Sequence, residues 1–379
     1  MSEERKYSEE PRNKKRKNSK AARRRKKKIA VIVISVIVII ILAAILFVFG
    51  KLGKIRRLNF NEENINVNEG LEDKNGYITV ALYGGDSRNA GTVGKGTHSD
   101  CIIIACINNK TKDVKLVSIY RDTLVDICDP DELSYLKCTQ AYFLGGPEQA
   151  VNTLNKNFDL AIKDYVTVDF TAIATAIDLL GGIDIELTEE EAEWTNKYAW
   201  DTSANTGMDY TPIPYEAGYH HLDGIMATSY ARIRATAGDD LKRAERQRTV
   251  IQLAIEKAKK ADLFTLNNII DTVLPMCATS FSNSEILSLV KDITSYNIKE
   301  QTGYPFELST KMLGAKGDCV IPLGHVYNVT KLHEFLYDET DYKPSKAVQK
   351  INDDIEAETG FKAPEPSSEE KTSSSGITE

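Results

Sequence analysis

Arginine is confined to three short polar motifs once the first 57 residues are passed. Seven arginines lie in GGDSR (84–88), SIYRDT (118–123) and ARIRATAGDDLKRAERQR (231–248), whereas the 23 lysines of the same region are spread widely. Because a planar guanidinium can donate two hydrogen bonds to one phosphate group, arginine suits phosphate contacts well. The clustering therefore predicts one polyphosphate site. For any single arginine, a structural ion pair is the alternative role.

Two aspartates accompany these arginines at the ends of predicted strands. Asp86 follows a strand and a glycine pair, and Asp100 stands at the start of the next strand, in THSD. Hard divalent cations such as Mg²⁺ and Mn²⁺ prefer carboxylate and phosphate oxygens as ligands. We therefore expect Asp86 and Asp100 to bind such a cation beside the phosphates, with a loop or N-cap role as the alternative.

The third motif can be placed on a helical wheel. If residues 240–260 are helical, then at about 100° per residue Asp240, Arg243 and Gln247 fall within roughly 60° of one another. Ile251 extends the same face with an apolar side chain, so this face should point inward. Buried polar groups require partners, and a bound diphosphate would supply them.

The same geometry separates the remaining arginines of this motif. Arg246 is marginal to the inward face and Arg248 lies off to one side, so both are predicted to be peripheral. Arg232 and Arg234 would lie on one side of the chain if their segment is extended, because alternate residues of a strand share a face.

The order of these motifs resembles that of the LytR-CpsA-Psr family. GGDSR, THSD, VSIYRDT, YFLGGPEQAVNTLN, LDGIMATSYARIR and DLKRAERQRTVI follow one another as in that family, strongly over about 77–260 and more weakly to about 338. The resemblance implies a three-layer α/β/α domain with a central mixed sheet and an apolar tunnel for a polyprenyl chain. It also implies metal-dependent transfer of a teichoic acid or capsule-type glycopolymer from undecaprenyl diphosphate onto peptidoglycan, which leaves a phosphodiester link.

Carried over by motif position, the resemblance gives roles to single residues. It implies Asp86 and Asp100 as ligands of Mg²⁺ or Mn²⁺, and as diphosphate contacts Arg88, Arg121, Arg232, Arg234, Arg243 and Gln247. Asp122 and Asp240 are the candidates for a general base, and the sequence does not choose between them. His98 stands where many members have arginine, so a neutral, pH-dependent side chain occupies that position.

Three functions remain open at this stage. In the transferase, a peptidoglycan hydroxyl attacks the phosphorus that bears the glycopolymer, and arginines such as Arg121 and the metal stabilise charge on the leaving polyprenyl phosphate. A polyprenyl-diphosphate-glycan diphosphatase would use water as acceptor. A non-catalytic envelope regulator would require the arginine set to be dispensable.

The first 57 residues differ in composition from the rest. They carry 18 Lys and Arg against four Asp and Glu, whereas the remainder has 30 basic and 51 acidic residues. Residues 29–49 form an uncharged apolar run of 21 residues, long enough to cross the roughly 30 Å core of a bilayer as one transmembrane helix. The positive-inside rule then places the N-terminus in the cytoplasm and the catalytic domain outside. The basic tail is expected to contact anionic membrane lipids rather than nucleic acid.

The rest of the chain shows both strand and helix patterns. Near-continuous apolar strands predict a central sheet covered on both faces by helices, hence an α/β fold. We predict strands over 77–83, 101–107, 114–119, 165–168 and 183–187, helices over 147–158, 170–180, 223–230, 240–260, 262–274, 284–296 and 328–338, and a loop over about 199–218. The predicted organisation is a basic cytoplasmic tail (1–28), a transmembrane helix (29–49), an extracytoplasmic stalk (50–72), a catalytic domain (73–340) and a polar tail with a short helix followed by disorder (341–379).

All six cysteines follow the apolar run and would meet an oxidising compartment, where disulfides persist. Cys128 and Cys138 bracket a short polar loop and are the best predicted pair, and Cys277 and Cys319 form a second. The other two cysteines, five residues apart in a predicted strand, would point to opposite faces as buried small side chains.

Overall fold

The computed structural model describes residues 50, 53–71, 74–86, 93–129, 135–236 and 239–364, without the side chains of Asp86 and Asp239. The predicted cytoplasmic tail, the predicted transmembrane helix, Arg88 and residues 365–379 lie outside this part of the chain. Among the residues that are described, no helix is both long and apolar enough to cross a membrane. Among the described residues, those from Ile55 onward form one compact unit.

A six-stranded mixed sheet organises this unit. The strands in chain order are β1 (Tyr77–Asp86), β2 (His98–Asn108), β3 (Asp113–Ile119), β4 (Leu124–Asp126), β5 (Tyr135–Lys137), β6 (Asp164–Asp169), β7 (Ile183–Leu187), β8 (Gly218–Leu222), β9 (Ala278–Thr279), β10 (Asn297–Tyr304), β11 (Leu308–Met312) and β12 (Asp318–Pro322). The main sheet has the order β10-β3-β2-β1-β6-β9, and three two-stranded sheets pair β4 with β5, β7 with β8 and β11 with β12. Within the main sheet, β1–β6 and β3–β10 are parallel and the other pairs are antiparallel. The predicted central mixed sheet is therefore confirmed.

Helices cover both faces of the sheet. They are α1 (Thr139–Phe158), α2 (Phe170–Leu179), α3 (Glu189–Thr206), α4 (Gly224–Arg232), α5 (Asp239–Lys260), α6 (Leu263–Val273), α7 (Asn283–Lys291), α8 (His325–Tyr337) and α9 (Lys346–Thr359). Ile102, Ile104 and Cys106 of β2 pack in one core with α1 and α8. Because side chains alternate along a strand, Ile103 of β2 faces the other way, into a cluster that includes Ile251 of α5.

Helix α5 also belongs to a second core. Side chains of α2, α3, α4 and the β7–β8 pair form that core, and Val250 of α5 is buried in it. The same helix therefore spans two packed regions, which fixes the direction of its polar N-terminal half.

Two predicted elements are wrong in detail. The helix predicted to start at Pro147 begins at Thr139 and kinks at Gly146, whose φ of +70° favours glycine. Part of the predicted loop over 199–218 is helix α3, which starts with a capping box between Thr188 and Glu191. The S/T-x-x-E pattern of such a box is present in the sequence and marks this helix start.

The predicted disulfides are also wrong, because all six cysteines are free thiols. Cys138 is buried in the main core next to α1, whereas Cys128 is only half-buried in the turn after β4. Cys319 is buried in β12, and Cys277 lies half-buried just before β9. Proximity along the chain is therefore a poor guide to pairing here, because each member of a pair belongs to a different packed element.

The first described segment, residues 55–71, packs onto the unit. Arg56 pairs with Ala278 of β9. Further along, the backbone NH of Asn61 and the side chain of Asn64 both donate to the carboxylate of Glu148 in α1. At the C-terminal end of the described chain, α9 also belongs to this unit, because its apolar side chains are buried.

Candidate functional site

Asp100 projects from a β-bulge in the β1–β2 ladder. Gly84 pairs with Cys101 and Gly85 with Ser99, so Asp100 is the additional residue on β2. A bulge bends its strand and re-aims a side chain. A side chain at position 84 is excluded, because its Cβ would lie 2.8 Å from that of Cys101. The glycine pair of the first motif thus shapes the strand that presents the aspartate.

Arg121 lies in the turn that follows β3 and faces Asp100. Its carbonyl accepts a hydrogen bond from the backbone NH of Thr139, and the carbonyl of Asp122 accepts one from Val320 of β12. Held in this way by α1 and β12, the turn places Nη1 of Arg121 2.5 Å from Oδ1 of Asp100.

The segment around the start of α5 completes a cluster of charges. Arg234 places Nη2 3.2 Å from Oδ2 of Asp100 and Nε 3.5 Å from Oδ1 of Asp240. Nη1 of Arg243 lies 3.1 Å from the same oxygen of Asp240, and Nε of Arg121 lies 3.9 Å from its Oδ2. Three predicted diphosphate contacts from two separate motifs therefore converge on Asp100 and Asp240.

Several polar atoms of this cluster make no hydrogen bond, although Nη1 of Arg243 forms an ion pair with Asp240 and Nε of Arg121 lies 3.4 Å from Oδ2 of Asp122. Nε of Arg121, Nε and Nη1 of Arg243 and Oδ1 of Asp240 are buried without a hydrogen bond among the described residues. Burial lowers the pKa of Arg243, because the charged guanidinium is poorly solvated there. Buried donors without acceptors are unfavourable. An anion with several oxygens would satisfy them.

Asp122 and Asp240 form a carboxyl pair whose side chains are close enough to share a hydrogen bond. Burial raises the pKa of Asp240; Arg243 opposes this effect and the hydrogen bond with Asp122 reinforces it. Burial also acts to raise the pKa of Asp122, but Asp240, Arg121 and Lys137 together lower it. Nζ of Lys137 lies 3.3 Å from Oδ1 of Asp122. The pair can therefore hold a proton on Asp240 while Asp122 stays ionised.

We refer to Arg121, Arg234 and Arg243 with Asp100, Asp122 and Asp240 as the guanidinium cluster. Arg232 makes different contacts. It ends helix α4, so its segment is not extended as the sequence argument supposed. Its guanidinium lies 2.9 Å from Asp201, donates to Thr202 and covers the ring of Phe170.

The other predicted site residues are placed less fully. Gln247 is half-buried one turn beyond Arg243 on α5. Asp86 pairs with His98 at the end of β1, on the strand next to Asp100. Arg88 lies outside the described residues.

Arg246 and Arg248, both predicted to be peripheral, are buried. Arg246 uses its donors within the protein: Nε lies 3.0 Å from Glu191, Nη1 donates to the carbonyl of Ile233 and Nη2 donates to Thr236. Nε and Nη1 of Arg248 have no hydrogen-bond partner among the described residues. A helical wheel gives only the direction of a side chain. It therefore does not show that Arg248, beside the inward face, is buried with two unbonded donors.

His98, at the position where the resemblance leads us to expect arginine, stacks on Phe143. The two ring centroids are 4.4 Å apart and the planes differ by 11°. The aromatic contact gives this side chain a packing role next to the site.

An apolar flank adjoins the cluster. Cys101, directly after Asp100, packs with Ile103 and with Ile251 of α5. Helices α6 and α7, which follow α5 in the chain, also carry apolar side chains, and neither has a fully buried residue. Their half-buried side chains leave apolar surface that the protein itself does not fill.

The fold and the cluster thus define an α/β protein with a buried cluster of guanidinium and carboxylate groups whose chemistry suits a multiply charged anion. The chain belongs to the LytR_cpsA_psr family, whose model matches residues 49–315. The resemblance inferred from the motifs is therefore confirmed.

Two relatives and one solved structure illustrate the similarity. Over 287 residues the chain is 25% identical to the polyisoprenyl-teichoic acid–peptidoglycan teichoic acid transferase TagV of Bacillus subtilis (strain 168), covering 75% of this chain and 70% of TagV. It is 30% identical over 236 residues to TagT, the protein of the same description from the same organism, covering 61% of this chain and 69% of TagT. The structure of Bacillus subtilis TagT (YwtF) with bound octaprenyl pyrophosphate lipid has a TM-score of 0.50 at 20% sequence identity, covering 81% of this chain and 100% of TagT. At that identity the structural match establishes the fold alone.

Proposed function

We propose that this chain is a phosphotransferase that moves an undecaprenyl-diphosphate-linked glycopolymer, of the teichoic acid or capsule type, onto peptidoglycan. The observation that carries the proposal is the guanidinium cluster, in which Nε of Arg121 and Nε and Nη1 of Arg243 are buried without a hydrogen bond among the described residues. The activity described for TagV and TagT and the lipid bound to TagT support the choice of ligand.

In this proposal Arg121, Arg234 and Arg243 bind the diphosphate and stabilise charge that develops on the leaving polyprenyl phosphate. Preorganised donors in a buried site stabilise such charge strongly, because they need no reorganisation during the reaction. Arg88, Arg232 and Gln247 are proposed as further diphosphate contacts, as the motif order implies. Arg248 joins them on the strength of its unused donors.

Asp240 is the proposed general base. Its raised pKa brings it closer to the range in which a carboxylate can take a proton from the attacking hydroxyl, and its neighbour Asp122 can share that proton. The hydroxyl oxygen of peptidoglycan forms a bond to the phosphorus that carries the glycopolymer. The bond from that phosphorus to the bridging oxygen breaks, and polyprenyl phosphate leaves.

Asp86 and Asp100 are proposed to hold Mg²⁺ or Mn²⁺. Mg²⁺ commonly binds one or two carboxylates and completes its shell with substrate phosphates and water, and two aspartates on neighbouring strands fit that donor set. When bound, the ion would neutralise part of the phosphate charge.

The apolar flank is the proposed site for the polyprenyl chain. Leu266, Ile269, Ile270 and Val273 of α6 are half-buried, so a bound hydrocarbon chain would complete their burial. Helix α5 carries both Arg243 and Ile251, about 12 Å apart at 1.5 Å per residue. The headgroup and the first isoprene units could therefore be held by one helix.

We further propose that the protein is anchored in the cell membrane, as the composition of residues 1–57 suggests. Residues 29–49 would anchor the chain in the cell membrane by a single span, with the basic tail on anionic lipids in the cytoplasm and the site outside. This arrangement would give the site access to both a lipid-linked donor and the cell wall.

The test is a transfer assay with the purified full chain, a lipid-linked glycopolymer, Mg²⁺ and peptidoglycan oligosaccharides. We expect a covalent phosphodiester adduct, detected by mass spectrometry, and loss of product when the cation is chelated. Release of polymer phosphate without an adduct would identify a diphosphatase instead. Unchanged transfer after complete chelation would remove the cation from the proposal.

A further inference from the structure

The β7–β8 pair carries an exposed aromatic side chain among carboxylates. Side chains alternate along a strand, and those on one face of this pair point outward. They are Asp184 and Glu186 on β7 and Tyr219 and His221 on β8, and all four are exposed. In the register of the two strands Glu186 pairs with Tyr219, which is 78% exposed, and Asp184 pairs with His221. We call these four residues the tyrosine face.

An open groove of about 670 Å³ adjoins the tyrosine face. Tyr219 and His221 line it together with Pro212, Pro214 and Glu216 of the loop that precedes β8. Its volume lies in the range of small-ligand sites, roughly 300–1,000 Å³. A ligand in this groove would therefore contact an aromatic ring, apolar proline rings and a carboxylate at once.

The loop that forms one side of the groove is tied to the protein at several points. The backbone NH of Thr211 donates to Oδ2 of Asp223, 2.7 Å away. Ile213 exchanges two hydrogen bonds with the side chain of Asn196 on α3, and its own side chain is buried. The two prolines fix φ at their positions. A loop held in this way loses little conformational entropy when a ligand binds.

The charge of this region is negative, in contrast to that of the guanidinium cluster. Asp184 contacts Lys257 and Asp223 caps α4, whereas Glu186 and Glu216 present exposed carboxylates. These carboxylates would repel a polyphosphate. They suit an uncharged sugar, because a carboxylate accepts hydrogen bonds from hydroxyl groups and the C–H face of a sugar ring packs on an aromatic ring.

Helix α5 relates the tyrosine face to the guanidinium cluster. Near the end of this helix, Lys257 lies 3.4 Å from Asp184, and near its start Arg243 belongs to the cluster. The two residues are 14 positions apart, which corresponds to about 21 Å along the helix axis. A ligand that reaches both places must therefore be a chain of several sugars.

We propose that the tyrosine face and the adjoining groove bind an uncharged polysaccharide chain. Tyr219 stacks on one sugar ring, and Glu186 and Glu216 accept hydrogen bonds from hydroxyl groups. That this chain is the glycan backbone of the peptidoglycan acceptor, held while another of its sugars reaches the guanidinium cluster, rests on the proposed function.

The first experiment measures binding by calorimetry, with the full chain in detergent and an N-acetylglucosamine octasaccharide as the probe. Tyr219→Ala should weaken binding about tenfold, because it removes the ring on which a sugar stacks. Tyr219→Phe keeps that ring and should keep most of the affinity. Met312→Ala, at a position 67% exposed on β11, is the matched control and should leave the affinity unchanged. Because both positions are exposed, the substitutions should not disturb folding.

Two results of the binding experiment overturn the proposal outright. The first is no binding of the octasaccharide to the unsubstituted protein, and the second is equal affinity of the Tyr219→Ala and Met312→Ala variants. A poly(glycerol phosphate) that binds more tightly than the octasaccharide, and that Tyr219→Ala weakens, also overturns it. That result would assign the groove to an anionic polymer.

A transfer assay tests the assignment to the acceptor. With a long glycan strand of peptidoglycan as acceptor, Tyr219→Ala should raise KM about tenfold and leave kcat unchanged, because it removes binding that does not change during the reaction. With a disaccharide acceptor, which is too short to reach both places, KM should equal that of the unsubstituted protein. An unchanged KM for the long acceptor overturns this assignment. If the unsubstituted protein transfers nothing, the proposed function fails, while calorimetry still decides whether the polysaccharide binds.

Discussion

Arg243 and Arg246 lie one turn apart on α5 and are buried to the same degree, at 4% and 5% exposed. Each nitrogen of the Arg246 guanidinium donates a hydrogen bond within the protein, to Glu191, Ile233 and Thr236. Arg243 has an ion pair with Asp240, 3.1 Å from its Nη1, but neither its Nε nor its Nη1 makes a hydrogen bond among the described residues. Burial alone therefore does not distinguish a structural arginine from a ligand-binding one, whereas the accounting of its hydrogen bonds does.

The two arginines also depend on each other. Arg246 holds Ile233 and Thr236, which bracket Arg234 in the segment before α5. We infer that the satisfied arginine positions the loop that brings one member of the guanidinium cluster to Asp100.

Arg121→Ala should lower the transfer rate about 10²–10³-fold, as loss of one preorganised donor to a developing oxyanion does elsewhere. Arg121 contacts Asp100 and lies close to both members of the carboxyl pair, so Lys at this position should recover only part of the rate. Steady-state transfer is the measurement, with circular dichroism as the control for folding. A rate within threefold of the unsubstituted protein would contradict the site.

Arg246→Met and Arg243→Met should have opposite profiles in chemical denaturation without ligand. Removing Arg246 leaves Glu191, the carbonyl of Ile233 and the hydroxyl of Thr236 without this donor. We therefore expect the free energy of unfolding to fall by about 3 kcal/mol. Removing Arg243 breaks one ion pair, with Asp240, whose carboxylate keeps Arg121 and Arg234 as neighbours. We therefore expect a smaller loss, of about 1 kcal/mol. Stabilisation by a polyprenyl diphosphate should disappear in the Arg243 variant. Equal destabilisation by both substitutions would break the comparison.

Arg248→Met tests whether a buried arginine with unused donors binds ligand even off the predicted face. We expect about tenfold weaker binding of a short-chain polyprenyl diphosphate, the loss of roughly one charged hydrogen bond. Calorimetry in detergent measures the affinity, and Lys242→Met, on the exposed side of α5, is the control. An unchanged affinity would return Arg248 to the peripheral role predicted from the sequence.

Asp122→Asn should move the acid limb of the pH–rate profile. A base must be ionised, so the rate rises with pH as Asp240 loses its proton, and the raised pKa of Asp240 places this rise above the range of an ordinary aspartate. The hydrogen bond with Asp122 contributes to that raised pKa. Without the carboxylate at 122, the pKa of Asp240 should fall and the limb should shift to lower pH. Complete loss of activity would instead identify Asp122 as the base.

The arginine motifs, the inward direction of Arg243, the main strands and most helices followed from the sequence. Each of these depends on residues close together in the chain, through a period of 3.6 or 2 or through turn and capping residues. The family also followed, because several motifs in a fixed order form a specific pattern and the match over residues 49–315 bears it out.

The tertiary structure alone decided which groups meet. Asp122 and Asp240 are far apart in sequence and share a hydrogen bond only because the turn after β3 and the first turn of α5 face each other. Arg232 contacts Asp201 because helix α4 includes Arg232. Arg248 is buried because α5 packs into two cores. Contacts of this kind depend on how distant parts of the chain pack together, which a local sequence pattern does not predict. The predicted disulfides were wrong for the same reason.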